Sequence, residues 1–311
     1  KLSKTNINTP IYLYINKYRP MDRIDNGQLS IAVSAHGAEL TGIRKGDTEY
    51  LWNADPRYWD RSSPVLFPMV GRVWENRYRV GEREFGMGQH GFARDREFTL
   101  IYKDGESLLY RLSSDEESRK IYPWDFVLEI GYRLKGNSIE VSWKVINHSP
   151  TTMWFQIGAH PAFNYPDFDP ERQERGFFAF DRKSELLSAK LARKGCVEKG
   201  ARFPVPLDSE GRLVLSRDTF DGVDTYVLED SQVSRVDMLR PDGRPWLSVH
   251  FDAPLVGLWS PPEKNAPFVC IEPWYGRCDW DGFEGDISER EWVWKLEAGE
   301  SFEAGYSIEI H

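Results

Sequence analysis

The feature that most constrains the fold is an alternation of apolar and polar residues, with a period of two, that recurs along the chain. Five stretches place an apolar side chain at every second position: 29–35, 126–134, 139–145, 247–251 and 302–310. Successive side chains of a β-strand point to opposite faces, so this spacing is typical of half-buried antiparallel strands. Pro and Gly interrupt the sequence between such stretches. The pattern predicts an all-β fold of packed antiparallel sheets.

Signals for helices and for domain boundaries are few. Residues 181–193 could form a short helix, and residues 55–59 a single turn after Pro56. Residues 167–205 are charge-rich and are expected to form an excursion at the edge of a sheet. The sequence contains no internal repeat, low-complexity tract or linker. We therefore predict an N-terminal extension over residues 1–20 and a single domain over residues 21–311.

Composition excludes several classes of partner. The formal net charge of −9 argues against nucleic acid, whose phosphates require a basic surface. No segment approaches the roughly 20 apolar residues that span a bilayer, so we expect no membrane association. The 3 cysteines contain no CxxC pair and form no even disulfide framework. A cytoplasmic protein is the resulting expectation.

Four segments differ from ordinary strands because they set polar or ionisable residues beside Gly, Pro and bulky apolar groups. His90 alone would be a core histidine, and Arg72 alone a surface ion pair. Glu272 is harder to explain structurally, since a carboxylate between Ile271 and Pro273 is expected to be buried and then needs a partner or a function. No HxH or HExxH spacing is present, so we expect no metal site. The four segments are residues 63–72, 89–95, 158–164 and 270–276.

Together with an earlier motif, these segments resemble the aldose 1-epimerases, also called galactose mutarotases, and especially the bacterial branch related to LacX. The similarity extends over residues 29–310, with the motifs in the family's order. It implies a large antiparallel β-sandwich, often called a supersandwich, and interconversion of the α and β anomers of a free hexose without a cofactor. The motifs are GAEL (37–40), LFPMVGR (66–72), QHGFAR (89–94), GAHPAFN (158–164) and CIEPWYG (270–276).

The resemblance implies a catalytic pair. Glu272 corresponds to the family's general base, and His160 in the HPAF motif to its general acid. One carboxylate and one imidazole suit the two proton transfers that open and close a sugar ring. An ionised glutamate nearby is expected to favour the imidazolium form of His160.

The resemblance also implies substrate-binding residues. His90 and Arg72 correspond to groups that bind sugar hydroxyls or the ring oxygen. Asp224, in a Gly-x-Asp segment before a strand, corresponds to a substrate-binding aspartate, with Asp221 as the second choice. Thr225 stands where the family commonly has a histidine, which predicts altered sugar contacts at this point.

Two alternative functions remain open. A hexose-6-phosphate mutarotase would need a phosphate clamp of arginines, for which Arg61, Arg94, Arg96 and Arg277 are candidates. We expect these four to be ion pairs at the surface or behind the site. A non-catalytic carbohydrate-binding protein is the other alternative, because similar sandwiches occur without catalysis. In each case the partner is a small monosaccharide, and the sequence leaves monomer and homodimer equally open.

Overall fold

A computed structural model of the chain describes residues 21–182, 185–192 and 195–311. The described residues contain one α-helix, α1 (Glu116–Ile121), and short 3₁₀ turns at Trp74–Asn76, Ala93–Asp95 and Ile287–Glu289. The strands are β1 (Met21–Asp25), β2 (Ser30–Ser34), β3 (Glu39–Lys45), β4 (Thr48–Glu49), β5 (Val65–Leu66), β6 (Arg77–Val80), β7 (Arg83–Gly86), β8 (Thr99–Lys103), β9 (Ser107–Ser113), β10 (Phe126–Lys135), β11 (Ser138–Asn147), β12 (Met153–Phe155), β13 (Ile157–Ala159), β14 (Ala162–Asn164), β15 (Glu174–Phe180), β16 (Leu187–Leu191), β17 (Val197–Pro204), β18 (Leu213–Ser216), β19 (Thr225–Leu228), β20 (Arg235–Leu239), β21 (Pro245–Phe251), β22 (Leu255–Trp259), β23 (Phe268–Tyr275), β24 (Trp294–Leu296) and β25 (Ser301–Ile310).

Two large antiparallel sheets dominate the architecture. The nine-stranded sheet has the order β18-β15-β20-β21-β25-β11-β10-β9-β8. The eight-stranded sheet has the order β17-β16-β19-β22-β23-β13-β5, and β14 also pairs with β23. Smaller sheets are formed by β1 to β4, by β6 with β7 and by β12 with β24. The predicted all-β class with large antiparallel sheets is confirmed.

The main core lies between the two large sheets. Trp143 of β11 meets Tyr275 of β23 edge to face, with ring centroids 6.3 Å apart, and Tyr275 also contacts Phe302 of β25. All eight residues of β23 are buried. Its Ile271 and Tyr275 belong to this core, whereas Cys270 and Trp274 belong to smaller clusters on the opposite face. Strand β23 is therefore covered on both faces, and the second face carries the candidate site.

The five periodic stretches all form strands: β2, β10, β11, β21 and β25. The turn at residues 55–59 is also confirmed, because the Asp55 carbonyl accepts hydrogen bonds from the N–H groups of Tyr58 and Trp59 at 3.0 and 3.1 Å.

The helix predicted at residues 181–193 is wrong. Residues Leu187–Leu191 form β16, which pairs with β17 and β19 and buries Ser188 and Ala189. Helix propensity is a weak preference that sheet pairing and burial override. The predicted edge excursion is right only in part, since β16 and β17 end the eight-stranded sheet but β15 is paired on both sides.

Two expectations concern the ends and boundaries of the chain. The predicted extension, residues 1–20, lies outside the described residues, and the assignment of residues 21–311 to one domain stays a prediction. Within the described ranges, no helix has the length and apolar character needed to cross a membrane.

Candidate active site

Sheet register brings His160 and Glu272 together. Strand β13 pairs Gly158 with Trp274, and β14 pairs Ala162 with Cys270. The residue midway between the two partners on each strand is His160 on one side and Glu272 on the other. His160 Nε2 lies 3.3 Å from Glu272 Oε2. The predicted acid and base, distant in sequence, thus lie opposite one another across two strands.

The pair opens onto a cavity of about 510 Å³. Alternation along β23 explains this placement, since Glu272 and Trp274 point away from the main core. Four of the five predicted site residues line the cavity or its rim: His90, His160, Asp224 and Glu272. The remaining lining residues are Trp59, Asp60, Arg61, Gly71, Gln89, Arg94, Leu191, Gly195, Thr225, Val227, Trp259, Trp274 and Cys278.

Trp274 forms part of the cavity floor because two neighbouring strands carry glycine beside it. A Cβ atom on Gly158 of β13 would lie 2.7 Å from the indole, and one on Gly257 of β22 would lie 2.6 Å from it. Both distances are shorter than real carbon contacts. The indole N–H donates to the Ala159 carbonyl at 3.2 Å. The ring is thereby fixed beside Glu272, which pairs with Gly257.

Two hydrogen bonds hold the loop of His90 against the loop that ends at Gly71. The His90 N–H donates to the Gly71 carbonyl at 2.7 Å, and the Gly71 N–H donates to His90 Nδ1 at 3.0 Å. Gly91, with φ of +71°, approaches so closely that a Cβ would lie 2.2 Å from the Phe67 carbonyl oxygen. Because Nδ1 accepts, the proton of neutral His90 resides on Nε2. Burial, with help from the charge of a protonated His160, lowers the pKa of His90 well below 6.5.

Glu272 is a buried carboxylate with free acceptor capacity. Its exposed fraction is 1%. Neither oxygen has a hydrogen-bond partner among the described residues, since His160 is near but not aligned as a donor. Burial raises the pKa of Glu272 well above 4.5, and the charge of Asp224 raises it further. The indole N–H of Trp274 opposes this rise only weakly, because it is directed to Ala159.

His160 is held by aromatic rings. Trp59 stacks on the imidazole with centroids 4.6 Å apart, and Trp259 meets it edge to face at 5.3 Å. Burial lowers the pKa of His160 to about 3, and the positive charges of Arg94 and Arg61 act in the same direction. The expectation that Glu272 favours the imidazolium form of His160 stays a prediction, and burial acts in the opposite direction.

Comparison with known proteins identifies the family. The sequence profile described as aldose 1-epimerase matches residues 22–304. The chain belongs to the aldose 1-epimerase family. Protein LacX, encoded on a plasmid of Lactococcus lactis subsp. lactis, is 34% identical over 266 residues, covering 81% of this chain and 87% of that protein. The crystal structure of a galactose mutarotase related enzyme from Lactobacillus acidophilus is 32% identical with a TM-score of 0.88, covering 94% of this chain and 97% of that one. A putative glucose-6-phosphate 1-epimerase of Escherichia coli (strain K12) is 26% identical over 155 residues, covering 46% of this chain and 48% of that protein.

Within this family member, the arginines are arranged differently from the sequence expectation. Arg72 is not among the residues that line the cavity. Its Nη2 lies 3.3 Å from Gln89 Oε1. The Nε2 atom of Gln89 lies 3.3 Å from His90 Nε2. Arg61 and Arg94 do line the cavity. Both side chains are less than one quarter exposed.

Each of the four phosphate-clamp candidates forms an ion pair, as expected, and that of Arg94 is the longest. Arg61 pairs with Asp95 at 2.8 Å, and Arg96 pairs with Asp115 at 3.7 Å outside the cavity. Arg277 is buried against Glu229, also outside this cavity. Arg94 Nε lies 4.0 Å from Asp95 Oδ2, and this Nε has no hydrogen-bond partner among the described residues. Arg94 Nη2 donates to the Gln89 carbonyl at 2.8 Å.

Asp224, rather than Asp221, faces the cavity. Asp224 is exposed at the rim with φ of +66°. Its Oδ2 accepts from the hydroxyl of Thr225 at 3.2 Å, at the point where the sequence predicts altered sugar contacts. Asp221 instead accepts the Glu263 N–H at 2.8 Å and does not line the cavity.

Sequence reasoning missed the aromatic walls of the site. Trp59, Trp259 and Trp274 all line the cavity. The glycines at 158 and 257 were the available signal for Trp274, because a glycine inside a strand often marks close approach of another group. The remaining histidines, His36, His148, His250 and His311, do not line the cavity.

Proposed function

We propose that the chain is an aldose 1-epimerase that interconverts the anomers of a free hexose by general acid/base catalysis. The observation that carries the proposal is the pair of Glu272 and His160, 3.3 Å apart, buried, and open to a cavity walled by tryptophans. A flat indole suits the apolar C–H face of a sugar. The Glu272 oxygens, which have no hydrogen-bond partner within the described ranges, suit its hydroxyls. The volume of about 510 Å³ suits a small ligand.

The reaction needs two concerted proton transfers. The Glu272 carboxylate removes the proton of the C1 hydroxyl, and protonated His160 delivers its proton to the ring oxygen O5. The C1–O5 bond breaks with its electron pair going to O5, and C1 becomes an aldehyde carbon. Rotation about the C1–C2 bond presents the other face, and the reverse transfers close the ring. All protons return to their starting groups, so no cofactor is consumed.

Burial favours proton transfer from the sugar to Glu272 and from His160 to the sugar. It raises the pKa of Glu272 and lowers that of His160, which makes the first a stronger base and the second a stronger acid. The reactive pair holds one proton in total. In its other tautomer, the carboxyl would serve as acid and the imidazole as base. A structure with bound sugar decides the roles, because O1 must contact the group that acts as the base.

Polarimetry tests the proposal. Freshly dissolved α-D-glucose or α-D-galactose should lose optical rotation faster with the protein than in buffer alone. A buffer-like rate with both sugars would contradict it. Sugar binding by calorimetry without any acceleration would instead favour the non-catalytic carbohydrate-binding alternative.

Arg61 and Arg94 favour hexose-6-phosphate mutarotation as a second candidate. The two guanidinium groups line the same cavity as the catalytic pair, and Arg94 Nε finds no hydrogen-bond acceptor in the part of the chain that the structure describes. Partial similarity to a putative glucose-6-phosphate 1-epimerase points the same way. Glucose 6-phosphate should then inhibit glucose mutarotation strongly, less so at high salt. Arg94→Gln should weaken this inhibition, whereas the control Arg96→Gln, outside the cavity, should not.

A further inference from the structure

A third potential ligand lies beside the catalytic pair. Cys270 and Glu272 are two residues apart on β23 and point to the same face, while His160 stands opposite Glu272. One donor atom from each of the three residues lies within 4.8 Å of the others. All three residues are buried. No metal-binding spacing is visible in the sequence, because His160 comes from a segment distant from Cys270 and Glu272.

The distances fit a tetrahedral ion. Zinc–nitrogen and zinc–oxygen bonds of about 2.0–2.2 Å at tetrahedral angles separate the two ligand atoms by roughly 3.4 Å. His160 Nε2 and Glu272 Oε2 are already 3.3 Å apart. A zinc–sulfur bond of about 2.3 Å requires the Cys270 sulfur to be roughly 3.6 Å from each of these atoms. The Cys270 sulfur lies within 4.8 Å of both atoms, so it must approach each of them by at most about 1.2 Å.

Over the described ranges, Glu272 also lacks hydrogen-bonding protein partners that would stabilise its buried charge. Both oxygens of Glu272 lack a hydrogen-bond partner among the described residues, although the side chain is only 1% exposed. A bound cation would supply the missing interaction. Three protein ligands leave a fourth position, which faces the cavity because His160 and Glu272 both line it.

We propose that His160, Cys270 and Glu272 form a site for a thiophilic divalent cation of the Zn²⁺ class, and that its occupation inhibits the enzyme. The nitrogen, sulfur and carboxylate donor set selects such ions over Mg²⁺ and Ca²⁺. The ion takes the lone pairs that Glu272 and His160 need for proton transfer. Binding releases the thiol proton of Cys270 and any proton held by the pair, so affinity falls as pH falls.

Surrounding groups determine how tightly the cation is expected to bind. The thiolate and carboxylate together balance the charge of the ion. Asp224 favours a cation here, whereas Arg61 and Arg94 oppose it. Among the residues that the structure describes, His160 Nδ1 has no hydrogen-bond acceptor of the kind that usually orients a metal-binding histidine. Stacking on Trp59 holds the ring instead. We therefore expect reversible binding, weaker than that of a structural zinc site.

The inhibition rests on the proposed function, but the metal site does not. Calorimetry with ZnCl₂ on the sugar-free protein should reveal one site per chain. Co²⁺ should add a thiolate-to-metal charge-transfer band. Cys270→Ala should weaken Zn²⁺ binding by more than about tenfold and abolish the band. Cys270→Ser, which keeps the volume of the buried side chain, should behave likewise if the alanine variant unfolds.

The matched control is Cys196→Ala, which removes another buried thiol outside the cluster. It should keep both the Zn²⁺ affinity and the cobalt band. In the rotation assay, Zn²⁺ should inhibit wild type reversibly with EDTA, and half-inhibition should need over tenfold more Zn²⁺ in Cys270→Ala. The proposal would be overturned if calorimetry detects no Zn²⁺ site, if Cys270→Ala binds Zn²⁺ as tightly as wild type, or if Zn²⁺ activates the enzyme. Cys270-dependent binding in a protein inactive on every sugar would leave the metal site standing and remove the proposed function.

Discussion

Replacing Glu272 with glutamine isolates the proton transfer from the shape of the site. Glutamine keeps the volume and one oxygen but accepts no proton from the sugar. General acid/base catalysis contributes about 10²–10⁴-fold, so kcat should fall by this factor, equivalent to roughly 3–5 kcal/mol of transition-state stabilisation. KM should change little, because the lost interaction matters mainly in the transition state.

The same change should affect stability with a defined dependence on pH. Burial raises the pKa of Glu272 well above its ordinary value of 4.5. Above that value, the unfolded chain ionises Glu272 while the folded chain keeps it protonated, so this residue destabilises wild type increasingly as pH rises toward the folded pKa. Glutamine has no such titration. The melting temperature of Glu272→Gln relative to wild type should therefore increase as pH rises above the ordinary carboxyl pKa of 4.5.

Polarimetry gives kcat and KM, and circular dichroism gives the melting temperatures. Glu272→Asp is the matched control, because it keeps a buried carboxylate with shorter reach. It should retain the pH-dependent destabilisation and recover part of kcat. A folded Glu272→Gln enzyme with near-normal kcat would refute the assignment of Glu272 to proton transfer. A melting-temperature difference independent of pH would refute the argument from burial.

Three further predictions follow from the site. The pH profile of kcat should show no inflection near pH 6.5. Because the pKa of His160 is lowered to about 3, the state in which the two groups share one proton persists well below pH 6.5. A step at pH 6.5 in the rotation assay would contradict this. Asp224→Asn should raise KM by an amount worth about 1–3 kcal/mol for one charge-assisted hydrogen bond, whereas Asp221→Asn, which faces away from the cavity, should leave KM unchanged; equal effects would remove Asp224 from the binding site. Gly257→Ala should destabilise the fold by about 1–3 kcal/mol in chemical denaturation through overpacking, because its Cβ would lie 2.6 Å from Trp274, and an unchanged midpoint would disprove that close packing.

The strands were predictable from sequence where one face is buried and the other is solvated. Strand β11 is an example, with alternate residues from Ile139 to Asn147 buried. Strand β23 gave no such signal, because all of its residues are buried and the alternation separates two apolar environments. The error at residues 181–193 has a related cause, since β16 is stabilised by two neighbouring strands that local sequence does not reveal.

The identities of the acid and base were predictable only through resemblance, and their environment was not. Placement of His160 opposite Glu272 depends on the register of β13 and β14 on β23, which no local pattern specifies. Trp59 reaches the cavity from the end of the turn at residues 55–59, and Arg61 from the segment that follows it. The sequence identified both ends of this segment but not the direction of its side chains.

The desolvation that sequence reasoning underestimated is itself part of the proposed chemistry. An exposed carboxylate and imidazole would differ in pKa by only about 2 units, with the imidazole the higher. Burial of β23 on both faces reverses that order by raising the pKa of Glu272 and lowering that of His160. Ring opening by the carboxylate and imidazolium tautomer then ends with the carboxyl and neutral imidazole, which is the uncharged state that a buried site favours. The same burial that makes the pair costly to the fold therefore lowers the free energy of the open-chain intermediate.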